Sequence, residues 1–289
     1  MMAAPDFLHD CPAPAKLNLF LHVVGRRGDG YHLLQSVFQL ISLRDLLHFD
    51  LREDKRIVRA THIEGVSQEN DLMMRAAQRL QVVAADRGIT TRGVDIRIEK
   101  RIPMGGGLGG GSSDAATTLM ALNFLWGLKL SRSELMSLGL ALGADVPFFL
   151  LGQNAFVEGI GERLTPIETP EAWFVVIHPG VAVPTRTIFG AAELTRDTKA
   201  VRIADFSASP QGFGRNDLQA VAAQAFPAVS DALNWLSRHG EARMTGSGAC
   251  VFCRFGSEPE AKRVLQAVPS GWHGWVVSAL SRHPLRLQS

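Results

Sequence analysis

A dense run of glycine constrains the fold of this chain more than any other feature of its sequence. Six of the seven residues from 105 to 111 are glycine, and Leu108 is the exception. Glycine loses more backbone entropy on folding than alanine does, so such a run destabilises a chain unless the backbone must turn tightly or approach a ligand there. The run separates a strand pattern at residues 94–98 from an apolar helical stripe at residues 115–126. This position favours a ligand-binding loop over a flexible linker.

The ligand best suited to such a loop is an anion. Successive backbone N–H groups and the N-terminus of the following helix both present partial positive charge. A Walker A loop would end in Gly-Lys-Ser/Thr, whereas Gly111 is followed by Ser112. The dinucleotide pattern G-x-G-x-x-G is also matched, as it is by any dense glycine run, but its acidic residue about 20 positions later would be Glu134, a capping-box residue. The sequence predicts a phosphate-binding loop, and a dehydrogenase remains the alternative.

Composition and charge exclude several classes of protein. The 289 residues are 46% hydrophobic and 20% charged, as in globular proteins of one large or two modest domains. A net charge of +2 is too balanced for electrostatic binding to nucleic acid or anionic membranes. Residues 1–10 lack the basic start of a secretory signal, and no uncharged apolar run approaches the ~20 residues of a membrane span. We expect a soluble cytoplasmic protein with no nucleic-acid or membrane partner.

Strand and helix patterns alternate irregularly along the chain, which predicts an α+β architecture. Residues 15–23 alternate as a half-buried strand does, and residues 33–51 form a second strand-rich region. Asn70 or Asp71 is a suitable N-cap for a helix that runs to about Val83. These patterns place the glycine run inside a mixed domain rather than at its edge.

Two further helices carry N-terminal signals. The helix behind the glycine run has Ser112, Ser113 or Asp114 available as its N-cap. The next helix begins with a capping box formed by Ser131 and Glu134. Both helices are therefore expected to begin at polar side chains.

Turn residues cluster between Gly159 and Pro170, which predicts a domain boundary in that region. We place the first domain at residues 1–162 and the second at residues 163–289, with the option that the last strand packs back on the first domain. The glycine run then belongs to the first domain.

Three blocks of this sequence resemble the GHMP kinases, the family of galactokinase, homoserine kinase, mevalonate kinase and phosphomevalonate kinase. The blocks are PAKLNL at residues 14–19, PMGGGLGGGSS at residues 103–113 and MTGSGAC at residues 244–250. The resemblance implies a two-domain α+β GHMP-kinase fold, with an N-terminal ribosomal-protein-S5-like domain and a C-terminal ferredoxin-like domain. It also implies ATP as phosphoryl donor, with Mg²⁺. It assigns ATP binding to Pro103, Met104, Gly105, Gly106, Gly107, Leu108, Gly109, Gly110, Gly111, Ser112 and Ser113.

Further blocks narrow the resemblance to one branch of that family. They are KLNL at residues 16–19, GDGYH at residues 28–32 and LGADVP at residues 142–147. This sequence resembles the branch whose members phosphorylate an alcohol that carries a cytidine diphosphate, on the non-mevalonate route to isoprenoids. The resemblance therefore implies a small-molecule substrate of that kind and a monomer or homodimer. Another GHMP-type kinase and a non-catalytic nucleotide-binding protein remain alternatives.

Lys16, Asn18 and Asp145 are the candidate residues for chemistry. Lys16 and Asn18 lie two apart on a predicted strand, so their side chains share a face about 7 Å apart. Asp145 precedes Pro147, where an ordinary helix cap is the simpler interpretation. The resemblance makes Asp145 the base or orienting group for the acceptor hydroxyl, Lys16 its partner and charge stabiliser, and Asn18 a substrate-binding residue. Whether Asp145 removes the proton stays open, because a loose transition state needs little base strength.

The same resemblance assigns Tyr31, His32, Thr185 and Phe189 to the cytosine of the acceptor. An aromatic face can stack on a base, and an imidazole can exchange hydrogen bonds with its edge. Tyr31 is the single tyrosine of the chain. In the alternative interpretation, Phe189 is a core residue and Thr185 belongs to a turn.

The sequence predicts no metal site built from protein side chains. No Asp/Glu cluster is present, and Ser112, Ser113 or Asp114 could either contact Mg²⁺ or cap a helix, so we assign no metal ligand. Cys250 and Cys253 match C-x-x-C, but on a strand their odd spacing directs the thiols to opposite faces. We expect both to be core cysteines rather than a disulfide or zinc pair.

Overall fold

The structure is a computed structural model, and it describes residues 5–285 and residue 287. Its strands are β1 (Phe7–Arg26), β2 (His32–Arg52), β3 (Ile57–Arg59), β4 (Gly93–Glu99), β5 (Ala155–Gly159), β6 (Arg163–Pro166), β7 (Trp173–His178), β8 (Ala242–Met244), β9 (Val251–Phe255) and β10 (His273–Leu280). Its helices are α1 (Leu72–Asp86), α2 (Gly110–Leu125), α3 (Arg132–Leu140), α4 (Val146–Leu151), α5 (Thr185–Gly190), α6 (Ile203–Ala208), α7 (Gln219–Ala225), α8 (Pro227–Leu236) and α9 (Glu258–Gln266). Their irregular order confirms the predicted α+β architecture.

Strands β1 and β2 form the centre of the first half. They pair antiparallel from Phe7 opposite Asp50 to Arg26 opposite His32, with register shifts that let such long strands bend. β1 begins well before the alternating segment that the sequence predicts at residues 15–23. The early part carries prolines, which a strand tolerates where their missing N–H groups are not needed by a neighbour.

The last strand of the described residues joins the two halves of the molecule. The sheet order is β3-β4-β2-β10-β7-β9-β8, and β1 and β5 also pair with β2. Ala279 and Leu280 of β10 lie opposite Ile41 and Leu40 of β2, while most of β10 pairs antiparallel with β7. One sheet therefore runs through both halves and fixes how they face each other.

Strands β5 and β6 form a hairpin at the predicted domain boundary. β6 pairs antiparallel with β5, from Ala155 opposite Pro166 to Glu158 opposite Arg163. A boundary at 162/163 falls between these paired strands, and one after Pro166 would keep the hairpin whole. The boundary itself stays a prediction.

Helix α2 is the element that brings the glycine run to the centre of the fold. It packs against α1, α4 and β1, and residues 113–119 are all buried. Apart from Asp114, this stretch consists of small residues and one leucine, which can be enclosed by the neighbouring elements. No helix within the described ranges has both the length and the apolar character that crossing a bilayer requires.

The two cysteines of the C-x-x-C pattern, Cys250 just before β9 and Cys253 on it, pack into different cores, as their predicted opposite directions require. Cys250 belongs to a cluster with Phe174 and Phe252, while Cys253 packs in the second-half core with Leu236. Burial raises the pKa of both thiols. Both are core residues, and within the described part of the chain both are free thiols.

Candidate active site

The glycine run packs against residues 245–250 from the second half of the chain. Two backbone N–H groups of that segment donate to the carbonyl oxygens of Gly105 and Gly106, at 3.0 and 3.1 Å. Gly107 has φ +74°, and a Cβ there would lie 2.1 Å from the carbonyl oxygen of Thr245. Glycine is thus required at 107 by contact with the protein's own backbone. We call residues 105–111 together with residues 245–250 the loop end of the site.

Helix α2 begins inside the glycine run rather than after it. Its N-cap is Gly109 in the left-handed conformation, with φ 73°. No side chain in the described part of the chain caps this end, so the prediction of Ser112, Ser113 or Asp114 as N-cap is wrong. Gly109 adopts the left-handed conformation without a steric penalty, so the helix can start before the polar residues are reached. The first N–H groups of α2 have no partner within the helix, and the helix dipole adds partial positive charge at this end.

Lys100 ties together the two ends of the glycine run. Its Nζ donates to Asp45 Oδ2 at 2.5 Å and to Asp114 Oδ2 at 2.8 Å. Asp45 Oδ1 also accepts from the backbone N–H groups of Arg101 and Ile102. Burial raises the pKa of Asp114, and the charge of Lys100 opposes that rise. Asp45 therefore holds the chain that enters the loop, and Asp114 holds the helix that leaves it.

Lys16 is a buried cation at the junction of β1, the loop and α4. It is 3% exposed, its Nζ donates to Asn18 Oδ1 at 2.6 Å, and it lies 3.5 Å from Asp145 Oδ2. The ammonium also lies 4.7 Å from the ring centroid of Phe38, within cation–π range. The side chains of Lys16 and Asn18 share a face, as the strand pattern predicts.

Asp145 stands at the N-cap position of α4 without acting as a cap. Its side chain makes no capping hydrogen bond within the described residues, and it is 31% exposed. The interpretation of Asp145 as an ordinary helix cap therefore does not apply. Its carboxylate is left facing Lys16 with one side open to solvent.

Asn18 connects the candidate chemistry to the second half. Its side-chain amide donates to Ser36 Oγ, and its backbone N–H donates to Thr245 Oγ1, both at 3.0 Å. Thr245 is fully buried and its hydroxyl also reaches the carbonyl oxygen of Gly107, at 3.3 Å. Thr245 lies in the MTGSGAC block, but no sequence pattern assigns it a function. Its placement between β1 and the loop makes it the link between the halves.

A cavity of about 760 Å³ opens between the two halves. All the predicted catalytic and acceptor residues line it: Lys16, Asn18, Tyr31, His32, Asp145, Thr185 and Phe189. Of the predicted ATP-loop residues, Gly107 and Gly109 reach its wall. The cavity therefore extends from the loop end to a second region, which we call the acceptor end, formed by Tyr31, His32, Thr185 and Phe189.

The acceptor end is built from side chains rather than backbone. Tyr31 is 61% exposed, and the rings of His32 and Phe189 lie 5.1 Å apart at 34°. Thr185 begins helix α5, and its hydroxyl is 2.8 Å from that of Ser247. A planar base would find aromatic faces and hydroxyl groups here.

Three arginines near the acceptor end were missed by sequence reasoning. Arg26 and Arg186 line the cavity, and Arg196 Nε donates to His32 Nε2 at 3.1 Å. Isolated arginines carry no spacing signal, so nothing in the sequence pattern singles them out. The fold alone brings them to one region, where their charge suits a diphosphate.

The residues present fit a magnesium ion carried by ATP. No group of three or more His, Cys, Asp or Glu side chains within the described ranges could hold a metal by itself. Mg²⁺ needs a smaller set, one or two protein oxygens in addition to phosphate oxygens and water. Asp145 would supply a carboxylate oxygen, and Ser112, which is partly exposed beside Gly143, would supply a hydroxyl oxygen. Ser113 Oγ is buried without a partner among the described residues.

Comparison with known proteins identifies what this chain is similar to. The family models described as GHMP kinases N terminal domain and GHMP kinases C terminal match residues 71–153 and 191–274. A 4-diphosphocytidyl-2-C-methyl-D-erythritol kinase from Herminiimonas arsenicoxydans is 63% identical, covering 96% of this chain and 97% of the relative. The relative of that name from Ralstonia pickettii (strain 12J) is 61% identical, with coverage of 99% and 98%.

Solved structures agree with these relatives. A crystal structure of 4-(cytidine 5'-diphospho)-2C-methyl-D-erythritol kinase superposes with a TM-score of 0.81 at 35% identity, over 93% of this chain and 98% of that one. The mevalonate kinase of Methanococcus jannaschii superposes with a TM-score of 0.67 at 14% identity, over 95% and 98%. The second likeness shows a shared fold alone.

Proposed function

The chain belongs to the GHMP kinase family and, within it, to the 4-diphosphocytidyl-2-C-methyl-D-erythritol kinases, and we propose on this basis which group it phosphorylates and how. It is an ATP-dependent kinase. The proposed reaction transfers the γ-phosphoryl group of ATP to the 2-hydroxyl of 4-diphosphocytidyl-2-C-methyl-D-erythritol, which gives the 2-phosphate and ADP. The product would be an isoprenoid precursor of the non-mevalonate route. The single observation that carries the proposal is the Lys16–Asp145 pair, 3.5 Å apart inside a cavity that joins the loop end to the acceptor end.

The pair would act on the acceptor hydroxyl. Asp145 orients that hydroxyl and accepts its proton as the O–Pγ bond forms and the bond from Pγ to the bridging oxygen of ADP breaks. Lys16 stabilises the negative charge that spreads over the transferred group. Asn18 and Phe38 hold the ammonium in one position, so little reorganisation is needed during the reaction.

The loop end would hold the triphosphate of ATP. The proposed contacts are the backbone N–H groups of residues 105–111 and the start of α2, with Ser112 and Ser113 beside them. Mg²⁺ bound to the phosphates would neutralise charge and draw its protein oxygens from Ser112 and Asp145. Lys100 would stabilise this arrangement, because its hydrogen bonds to Asp45 and Asp114 keep both ends of the loop in place.

The acceptor end would hold the cytidine diphosphate. Tyr31 and Phe189 offer ring faces to the cytosine, His32 reads its edge, and Thr185 adds a hydroxyl. Arg26 and Arg186 lie along the same cavity and would pair with the diphosphate. The acceptor alcohol is then directed toward Asp145.

The test is ADP release in the presence of ATP and Mg²⁺ with a panel of alcohols. The panel contains 4-diphosphocytidyl-2-C-methyl-D-erythritol, mevalonate, homoserine and galactose, each varied at saturating ATP. We expect the highest kcat/KM for the diphosphocytidyl alcohol by several orders of magnitude, and NMR of the product should locate the phosphate on the 2-hydroxyl. Preference for another alcohol would replace the proposed substrate, and no turnover with any would indicate a binding protein.

A further inference from the structure

Arg196 is held in place by the backbone that follows helix α5. Its Nη2 donates to the carbonyl oxygen of Ala191 at 2.6 Å, and its Nη1 donates to that of Leu194 at 3.0 Å. A guanidinium fixed by two carbonyl oxygens keeps its plane and therefore the directions of its other N–H groups. One of these groups, Nε–H, is directed at Nε2 of His32 at 3.1 Å.

This contact decides where the proton of the His32 ring is. Arginine has no acceptor atom and stays protonated, so Nε2 of His32 must accept the hydrogen bond. A neutral imidazole that accepts at Nε2 carries its proton at Nδ1. Partial burial lowers the pKa of His32, and the charges of Arg196 and Arg26 lower it further, so the neutral ring is favoured.

We propose that Arg196 is a positioning residue that holds His32 in the Nδ1–H tautomer, and that this tautomer makes the acceptor end select cytosine over uracil. The inference rests on the proposed function, in which His32 reads the edge of the base. Cytosine has an acceptor at ring nitrogen N3, whereas uracil has an N–H there. A fixed Nδ1–H donor can form a hydrogen bond with N3 of cytosine, whereas it would face the N–H of uracil, which is also a donor. A donor left without an acceptor is costly in a partly buried site.

The first experiment reads the tautomer directly and needs no substrate. Long-range ¹H–¹⁵N correlation spectra distinguish Nδ1–H from Nε2–H imidazole, and His32→Gln identifies the signal that belongs to His32. We expect the Nδ1–H form in the unmodified enzyme at neutral pH. In Arg196→Met, which removes the donor but keeps much of the side-chain volume, we expect the Nε2–H form to become populated. An Nε2–H signal in the unmodified enzyme would overturn the proposal.

The second experiment measures base selectivity with CDP and UDP as ligands. By calorimetry we expect CDP to bind on the order of tenfold more tightly than UDP, the size of one hydrogen bond, and Arg196→Met to bring the ratio close to one. Arg202→Met is the matched control, because Arg202 is exposed and pairs with Asp205 three residues later in the chain. A ratio that stays unchanged in Arg196→Met while the tautomer shifts would also overturn the proposal.

A purely structural role for Arg196 predicts a different pattern. Loosening of the turn at residues 191–194 would weaken CDP and UDP equally and lower the Tm, without changing the ratio. Arg196→Lys is not a rescue variant, because it lacks the planar guanidinium and its Nε–H. The ¹H–¹⁵N spectrum of the unmodified enzyme, assigned with His32→Gln, tests the tautomer even if Arg196→Met folds poorly. Failure of the proposed function appears separately, as lack of turnover of the diphosphocytidyl alcohol by an unmodified enzyme whose tautomer is as stated.

Discussion

The loop end and the acceptor end of this site are built in opposite ways. At the loop end, backbone groups meet backbone groups from the other half, and the residues that fix them, Thr245 and Asp45, are fully buried. At the acceptor end, Tyr31 stands 61% exposed and the contacts are made by side chains. A change at the loop end should therefore disturb folding and catalysis together. A change at the acceptor end should alter binding of one substrate and leave the fold intact.

Gly107→Ala is the change with the largest expected effect. The left-handed backbone costs an added side chain roughly 1–2 kcal/mol, and displacing the Thr245 backbone costs roughly 1–3 kcal/mol more. We expect a strongly lowered Tm and loss of activity. Gly111→Ala is the matched control, because its Cβ would meet nothing closer than 3.9 Å. Equal stability of the two variants, measured by denaturant unfolding, would break the comparison between the ends.

Lys100→Met tests the ionic support of the loop. It leaves Asp45 and Asp114 buried without their cation, which typically destabilises a protein by about 3–5 kcal/mol. Asp114→Asn is the milder partner variant, because Lys100 keeps Asp45. Urea unfolding of both variants measures the difference. An unchanged free energy of unfolding in Lys100→Met would show that the loop does not depend on this contact.

Asp145→Asn and Lys16→Ala test the junction between the two ends. Each should lower kcat at least about a hundredfold, the lower range of general acid–base contributions. Because they act on one reaction centre, the double variant should lose much less than the product of the single losses. Asp145→Asn removes the charge beside Lys16 but no cap of α4 within the described structure, so any loss of Tm should come from that ion pair alone. A multiplicative loss in steady-state kinetics would mean that the two act independently.

Tyr31→Ala tests whether the acceptor end acts on binding alone. Loss of stacking on a base is worth roughly 1–3 kcal/mol. The effect should appear in the KM for the acceptor, with kcat and the KM for ATP nearly unchanged, because the base is remote from the transferred group. Tyr31→Phe keeps the ring and should keep the activity. A rise in the KM for ATP would instead put the ring at the other nucleotide.

The smallest expected effect is a pH dependence of the KM for the acceptor. The folded-state pKa of His32 lies below the usual value of 6.5, because of partial burial and then of Arg196 and Arg26. As the pH falls past 6.5, the His32 ring therefore stays neutral. It takes up a proton only at a lower pH, and both of its nitrogens are then donors. The KM for the acceptor should rise as the pH falls in this range, while the KM for ATP follows no such rise. Kinetics between about pH 5 and 8, repeated in His32→Gln, check whether the acid rise belongs to this residue.

Sequence signals that act within a few residues predicted the structure well. Asp71 caps α1 by accepting from the N–H of Met73, and Ser131 and Glu134 form the expected capping box. Such signals are local, because one side chain satisfies a backbone group two or three positions away. The same short range explains why the shared face of Lys16 and Asn18 could be predicted.

Features that depend on distant parts of the chain could not be predicted. The start of α2 at Gly110 follows from the loop's packing against Thr245, which no local pattern shows. Lys100 meets Asp45 across 55 positions, and Arg196 meets His32 across 164. The sequence around a single charged residue does not indicate its partner, because the partner is brought close only by the fold. The family resemblance supplied the roles of the site residues, but it did not supply these supports.

The place of β10 in the sheet has a consequence for how the protein is made. Because β10 joins β2 to β7, the ribosome must translate past residue 280 before the sheet can close. At 5–20 residues per second this takes roughly a quarter of a minute to a minute. From the completion of the first half until that point, the place of β10 beside β2 is open and only half of the nucleotide site is present. Nascent chains should thus depend on chaperones late in synthesis, and a stop codon just before β10 should yield material that is degraded rather than a weakened enzyme.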